Sequence, residues 1–499
     1  MKTFIVSALF IVSGLLGFCC QMLYAYYFGS GKEMDIYFSL LSIPAIITGA
    51  TGTVFSSLFF PIFARIERPG LDAYIFIIKI YVSRIALIIA LAGFAITYFN
   101  LSQIIETKDP FYYNMALILS ILFWLNGYIS IVNGYLASVQ NYFKNFLIVS
   151  FSSLLIYVSI IAFVTLFHDL MGVSSIAVGM VFATIMTLLI NRYYGGIFRK
   201  SNIKVNLDVK GIFNKIFLIL ISFLPFHAFA SIAYMWAGQL DYEGSVSFLG
   251  YSHSFCGFLS TAASMGIATV SFPDLARSLS SKDTQELDKG YKIFRNQLEV
   301  VVIFASFVAV FVSFFAYPII EILFMRGQFD INAVSGLALV LPIYLINGVF
   351  IAMMNLTRNV YYSLNKQKLF AIISGAVTLI FVFTSILLSY KVNYIVVGIV
   401  ETLAMGLFML ISLYFINTFS RVFDCKFVLK TIEQLLILIV IGWLAFFIYE
   451  EMIVLRINNY MSIFFAGIIY TLLADIILGT LFKSPIVIEI NKKMLFLFK

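Results

Sequence analysis

A few side chains stand where their chemistry needs a reason, because each interrupts or borders a long apolar run. Asp35 precedes the run that begins at Ile36, Arg84 lies about a dozen residues into the next run, and His253 nine residues into a later one. A carboxylate in Asp35's position either caps a helix N-terminus or contacts a ligand at the edge of an apolar phase. Arg84 either reaches a phosphate in a polar cavity or snorkels toward a charged interface. His253 either lines a cavity or packs as a hydrogen-bonded imidazole, and His227, beside Pro225, carries the same alternatives. Asn126, Asn133, Asn347 and Asn355 suit hydrogen bonds between apolar helices first and ligand contacts second. Glu401 and Asp475 are the acids deepest in apolar sequence. Each either binds a proton or cation, or stays protonated on a neighbour.

Other chemistry has no residues to carry it. The sequence holds no Ser-His-Asp arrangement, paired carboxylates, P-loop or GxGxxG in context. Cys19, Cys20 and Cys256 lie in apolar runs and Cys425 in a basic loop, without a CxxC pair or a His/Cys cluster. Neither a disulfide, a metal nor a cofactor is expected. Catalysis is not expected either, and without a nucleotide-binding domain neither is an ATP-driven pump.

The elements that must position these groups follow from composition. The chain has 499 residues, 62% hydrophobic and 11% charged, with mean hydropathy +1.02. A soluble protein is about a quarter charged. Thirty-two basic and 24 acidic side chains cannot cover a protein of 56.3 kDa in water, so its surrounding medium is mostly lipid. A cytosolic enzyme, a secreted disulfide scaffold and a nucleic-acid binder are excluded, and the net charge of +8 reflects loop positions. Lys2 and the apolar run after it lack a small-x-small cleavage site, which predicts an uncleaved first helix.

A bilayer core needs about 20 apolar residues per helix. Apolar runs give fourteen spans, at about 4–28, 36–63, 73–99, 111–137, 145–167, 172–191, 212–237, 244–272, 293–324, 333–357, 368–390, 393–416, 430–450 and 460–482. With the N-terminus inside, only Lys32, Lys108, Arg326, Lys391 and Arg456 fall outside, and the other 27 basic residues fall inside. The positive-inside rule then makes both termini cytoplasmic.

Two motif pairs recur at nearly one spacing. Phe60-Pro61 ends the second span and Phe272-Pro273 ends the eighth. Asn126-Gly127, with Asn133, marks the fourth span, and Asn347-Gly348, with Asn355, marks the tenth. The order is kept and the two separations nearly agree. Six spans separate the copies, so both halves enter the membrane from the same side. Such a parallel repeat places a cavity between two bundles that rock about an axis along the membrane normal. The expected fold is an all-α integral membrane protein with two pseudo-symmetric six-helix bundles, 1–200 and 201–420. An extra helix pair and cytoplasmic tail follow over 421–499.

Several motifs resemble the MurJ/MviN lipid II flippases. They include Leu16-Gly17-Phe18, Phe28-Gly29, Asp35-Ile36-Tyr37-Phe38, Phe60-Pro61-Ile62-Phe63 and Gly244-Ser245-Val246-Ser247. Gly266-Ile267-Ala268-Thr269, the run from Leu323 through Arg326-Gly327-Gln328-Phe329, and Tyr361-Tyr362-Ser363 extend the likeness over most of spans 1 to 12. The resemblance implies a bacterial cytoplasmic-membrane flippase of the multidrug/oligosaccharidyl-lipid/polysaccharide superfamily. It implies alternating access, with a polyprenyl-pyrophosphate-linked saccharide carried from inner to outer leaflet and the extra helix pair cradling the polyprenyl tail. The family's cavity arginines fall here on Gly14, Cys20, Thr48 and Ser254, and of that charged set only Asp35 remains. Span 11 has no acid or Asn for a sodium site.

The expected function is a flippase for lipid II or a related lipid-linked oligosaccharide, in peptidoglycan or surface-polysaccharide assembly. Asp35, Arg84, Asn126, His253, Ser254 and Asn347 are the expected substrate-binding residues, and Glu401 and Asp475 the candidates for ion coupling. Arg84, Arg358 and His253 are the groups left to take the anion. The expected partners are the lipid-linked saccharide, membrane lipids and glycan synthases or polymerases, with no nucleic acid. Two rivals are a cation-coupled multidrug-type exporter and a non-transporting scaffold that recruits glycan synthases through loops 191–215 and 273–295.

Overall fold

The computed structural model describes residues 2–63, 70–105, 109–143, 145–194, 227–240, 242–279, 281, 283–388, 392–420, 423–455 and 458–480. The described chain is α-helical and contains no strand. The helices are α1 (Lys2–Phe28), α2 (Lys32–Phe63), α3 (Gly70–Phe99), α4 (Leu101–Ile105), α5 (Pro110–Tyr142), α6 (Phe146–Met171) and α7 (Ser174–Tyr194). A helix over 227–237 is α8. Then come α9 (Ser245–Leu279), α10 (Thr284–Phe314), α11 (Ala316–Phe324), α12 (Ile331–Ser363), α13 (Gln367–Leu388), α14 (Tyr394–Ser420), α15 (Cys425–Val454) and α16 (Asn459–Thr480).

Each of the fourteen apolar segments carries a helix, and ten of the described helices are long and apolar enough to cross a membrane. Residues 212–226 of the seventh segment, most of the basic loop 191–215 and the tail beyond 480 lie outside the described residues. Helix starts follow from local chemistry. Asp109, Asp283 and Asp424 accept the N–H groups of Phe111, Gln285 and Phe427 at 2.9, 3.1 and 2.9 Å, capping α5, α10 and α15. The expected segment 293–324 is two helices, broken at Phe315. Pro318, in the first turn of α11, has no N–H and its ring crowds the carbonyl four residues back, which favours a new helix start there over a continuous one, although α12 runs unbroken through Pro342.

The chain divides into two compact units. The first comprises Met1–Tyr251, Arg326–Asp330 and Gln367–Glu401; the second comprises Ser252–Met325, Ile331–Lys366 and Thr402–Lys499. In the first, Phe55, Phe59 and Phe63 of α2 pack against Tyr135 of α5 and residues of α3, and the buried Tyr135 hydroxyl donates to the Ile75 carbonyl at 2.9 Å. In the second, α10, α15 and α16 share a core in which Tyr470 donates to the Phe307 carbonyl at 2.8 Å. Two ion pairs, Arg295–Asp424 at 3.0 Å and Lys430–Glu299 at 2.8 Å, tie α15 to α10.

The internal repeat has a geometric counterpart inside each unit. A Cβ on Gly127 would lie 3.8 Å from the Pro44 ring, so the Asn-Gly step of α5 packs on α2 at Pro44. A Cβ on Gly348 would lie 3.2 Å from the Cys256 carbonyl oxygen, so the Asn-Gly step of α12 packs on α9 at Cys256. Cys256 lies as far beyond Pro44 along the chain as Pro273 lies beyond Pro61. Two glycine contacts at matching positions are what a duplicated helix pair produces.

The repeated asparagines also join helices. Asn133 Nδ2 donates to the Thr184 carbonyl at 2.8 Å, linking α5 to α7, and Asn355 Nδ2 donates to Ser264 Oγ at 3.0 Å, linking α12 to α9. Interhelical bonds of this kind contribute about 0.6–1.7 kcal/mol in membrane proteins. Asn355→Ala is therefore expected to lower the unfolding free energy of the detergent-solubilised protein by about 0.6–1.7 kcal/mol, seen as a lower unfolding midpoint. An unchanged midpoint would show that the bond adds nothing.

Candidate functional site

Asp35 occupies the fourth position of α2, and its carboxylate serves a different helix. Oδ2 accepts the Gly244 N–H at 2.8 Å, and Oδ1 accepts the Ser247 N–H at 2.7 Å together with the Ser247 hydroxyl. Gly244 directly precedes the first residue of α9 and has no side chain to cap it. Asp35 therefore supplies the cap in trans, satisfying two N–H groups that the helix cannot bond internally and placing a negative charge at the positive end of its dipole. Of the alternatives offered by the sequence, capping is the one observed, but the helix capped belongs to a distant part of the chain. Gly244 itself has φ +87°, and a Cβ there would lie 2.8 Å from the Ser30 carbonyl oxygen. Only glycine meets both demands.

The ends of α1 and α2 are pinned by three further contacts within the same unit. The fully buried Tyr251 donates its hydroxyl to the Gly29 carbonyl at 2.7 Å. The Lys32 N–H donates to Glu243 Oε1 at 3.3 Å. From the turn after α11, the Gln328 N–H donates to the Tyr26 carbonyl at 2.9 Å. Gly327, with φ +62°, makes that approach: a Cβ there would stand 2.1 Å from the Tyr26 oxygen. Gly244, Ser247, Tyr251, Gly29 and Gly327 form this joint with Asp35. None was singled out as a functional residue from the sequence, although most stand in the motifs quoted there.

The second unit holds another polar group of residues. The His253 ring on α9 lies 4.9 Å, centroid to centroid, from Tyr344 on α12. The Ser264–Asn355 bond joins the same two helices eleven residues further along each, so they run parallel in constant register. Asn347 is fully buried on α12, and neither its amide oxygen nor its nitrogen has a hydrogen-bond partner among the described residues. An unpaired buried amide costs about 1–3 kcal/mol. Arg358 is half-buried on α12, eleven residues and about 16 Å beyond Asn347 on nearly the same helix face.

The remaining expected residues are dispersed. Arg84 is exposed on α3, on the stripe that also exposes Ile80, Leu87, Ile88 and Leu91. Asn126 is half-buried on α5, and Ser254 is half-buried beside His253. Glu401 is fully buried on α14 in the first unit, whereas Asp475 is half-buried on α16 in the second. Where the resemblance places arginines, Cys20 is buried with its thiol directed at the Tyr157 carbonyl, and Thr48 bonds back to the Pro44 carbonyl at 3.3 Å. Among the described residues, no group of three or more His, Cys, Asp or Glu could hold a metal ion.

The sequence model of the family described as lipid II flippase MurJ matches residues 24–471. The probable lipid II flippase MurJ of Borreliella burgdorferi is 22% identical over 392 residues, 74% of each chain. A solved structure of lipid II flippase MurJ in an inward closed conformation has TM-score 0.73 at 18% identity, covering 96% of this chain and 100% of that one. An inward-facing multidrug resistance transporter of the MATE family, in the MOP superfamily, has TM-score 0.61 at 14% identity, covering 82% of this chain and 96% of its own. These likenesses to solved structures are likenesses of fold.

Proposed function

The chain belongs to the lipid II flippase MurJ family, and from that premise we propose that it carries lipid II or a related polyprenyl-pyrophosphate-linked saccharide from the inner to the outer leaflet of the cytoplasmic membrane. It is a multi-pass membrane protein. Its cycle is alternating access between the two halves of the repeat, 1–200 and 201–420, with 421–499 as an added helix pair and both termini cytoplasmic. It acts as a transporter and not as an enzyme, and it serves peptidoglycan or surface-polysaccharide assembly.

The observation that carries this reading is the capping of α9 by Asp35, because it ties a helix of one half of the repeat to a helix of the other through bonds that can part. Broken and remade, the joint is an outer gate. His253, Asn347 and Arg358 supply hydrogen-bonding and charged groups for the saccharide and pyrophosphate, in place of the arginines absent at Gly14, Cys20, Thr48 and Ser254. Arg84, exposed among apolar side chains, suits a lipid headgroup at the interface better than a cavity. Glu401, fully buried, is the stronger of the two candidates for ion coupling.

Depletion in the native host, followed by mass spectrometry of lipid extracts, tests the substrate. Accumulated lipid II with lysis is expected if the chain serves the cell wall. A different lipid-linked glycan accumulating in viable cells, with that glycan lost from the surface, assigns it to another polysaccharide. No accumulated polyprenyl-linked precursor would sink the proposal. Glu401→Gln tests coupling in parallel: ion-dependent transport is expected to fall, and unchanged dependence removes Glu401 from that role.

A further inference from the structure

The first unit contains a cavity of about 700 Å³ that the proposed cycle leaves unused. Its walls come from the middle of α2 at Ile43 and Ile47, from α3 at Gly93 and Ile96, and from α13 at Gly375 and Leu379, with Trp124 of α5 also lining it. Ile96 and Leu379 are 64% and 70% exposed, so the cavity opens sideways from the helix bundle. Ile43 is roughly 16 Å from the start of α2 and Gly375 roughly 12 Å from the start of α13. In a hydrocarbon core about 30 Å thick, that depth is the bilayer middle.

The lining polar groups are bonded to protein. Trp124 Nε1 donates to Thr97 Oγ1 at 3.0 Å, Thr97 donates to the Gly93 carbonyl at 2.9 Å, and Thr378 donates to the Ser374 carbonyl at 2.8 Å. Gly93 is what lets the outer edge of the indole approach α3, since a Cβ there would come within 2.0 Å of the ring. Gly375 faces open space: a Cβ built on it meets nothing within 4 Å. The site is a built hollow with hydrocarbon walls at the depth of lipid tails, and water gains no partners in it.

We propose that this groove binds the polyprenyl chain of the transported lipid, at a place distinct from the α15–α16 pair. Two arguments favour that occupant over a phospholipid acyl chain. An acyl chain anchored at either face brings only its tip to the bilayer middle, whereas a long isoprenoid crosses it and fills the groove along its length. The groove wall on α2 also begins two turns beyond Asp35, so a chain held here lies against the helix that carries the gate. The inference rests on the flippase reading, and the experiment separates the two.

The full-length protein in liposomes is irradiated with a diazirine-bearing polyprenyl phosphate or, in parallel, with diazirine-bearing phosphatidylglycerol, and labelled peptides are mapped. The polyprenyl probe is expected on α3 and α13, displaced by unlabelled polyprenyl phosphate. Gly375→Leu, which grows into empty space, is expected to cut that labelling roughly tenfold, the factor that about 1.4 kcal/mol of lost contact produces. Leu379→Gln, which makes the lip polar without filling the groove, should reduce it too. Labelling confined to α15 and α16 overturns the proposal. So does phospholipid labelling of the groove that polyprenyl phosphate fails to displace. Flipping of a lipid-linked saccharide is measured in the same vesicles: transport with an unlabelled groove removes the site alone, and a labelled groove without transport removes the flippase reading alone.

Discussion

Asp35→Asn is expected to raise the maleimide-labelling rate of a cysteine at position 246 by roughly a hundredfold, the shift that about 2.7 kcal/mol produces. Val246 is 1% exposed at the start of α9, so labelling there reports opening of the joint. The asparagine keeps the shape of the side chain but loses its charge and turns an N–H donor toward a backbone N–H. Hydrogen bonds to a charged group contribute about 1.5–3 kcal/mol each, and the freed N–H groups of Gly244 and Ser247 add their own penalty. The exposed Cys19 and Cys425 are replaced by serine beforehand to silence background labelling. Asp35→Glu, one methylene longer, cannot place both oxygens as the aspartate does, and an intermediate rate is expected. An unchanged rate in Asp35→Asn would mean that the carboxylate does not hold α9, and the gate would have to be sought elsewhere.

Gly327→Ala should produce the second large effect, a loss of about 2–3 kcal/mol in stability of the joint. A left-handed backbone costs a non-glycine residue roughly 1–2 kcal/mol. The added methyl would also stand 2.1 Å from the Tyr26 carbonyl oxygen, so the Gln328 N–H must leave that oxygen, at a further cost of about 1 kcal/mol. Thermal unfolding of the purified protein measures the loss, and the cysteine at position 246 shows whether the joint opens with it. Gln328→Ala keeps the backbone bond and is expected to remain close to wild type. Equal behaviour of the two variants would refute the steric argument.

The repeat links these local results to the architecture. Gly127 on Pro44 and Gly348 on Cys256 are one contact made twice, once in each unit, and both asparagine steps were visible as motifs in the sequence. The asparagines at 133 and 355 also bond between helices as expected, but their partners differ. One donates to a backbone carbonyl on α7 and the other to a serine hydroxyl on α9. The two donors stand at corresponding places in the motifs, and their acceptors differ.

The sequence by itself determined the medium, the helices and the family. Apolar run length, the polar breaks between runs and the caps Asp109, Asp283 and Asp424 act over a few residues, so they can be read along the chain. Pro318 marks the break at Phe315, but Pro342 stands inside the unbroken α12, so a proline alone does not tell the two cases apart along the chain. What only the tertiary structure decided was which polar group met which. Asp35 opens its own helix in sequence yet satisfies Gly244 and Ser247, because a half-buried carboxylate must find donors and packing chose those at the start of α9. Arg84 lies on an exposed stripe and Asn347 in full burial, a difference that apolar periodicity on both sides of each residue conceals. The groove at Gly375 is likewise invisible in one dimension. It is a space left by helices that do not quite meet, and no residue encodes it alone.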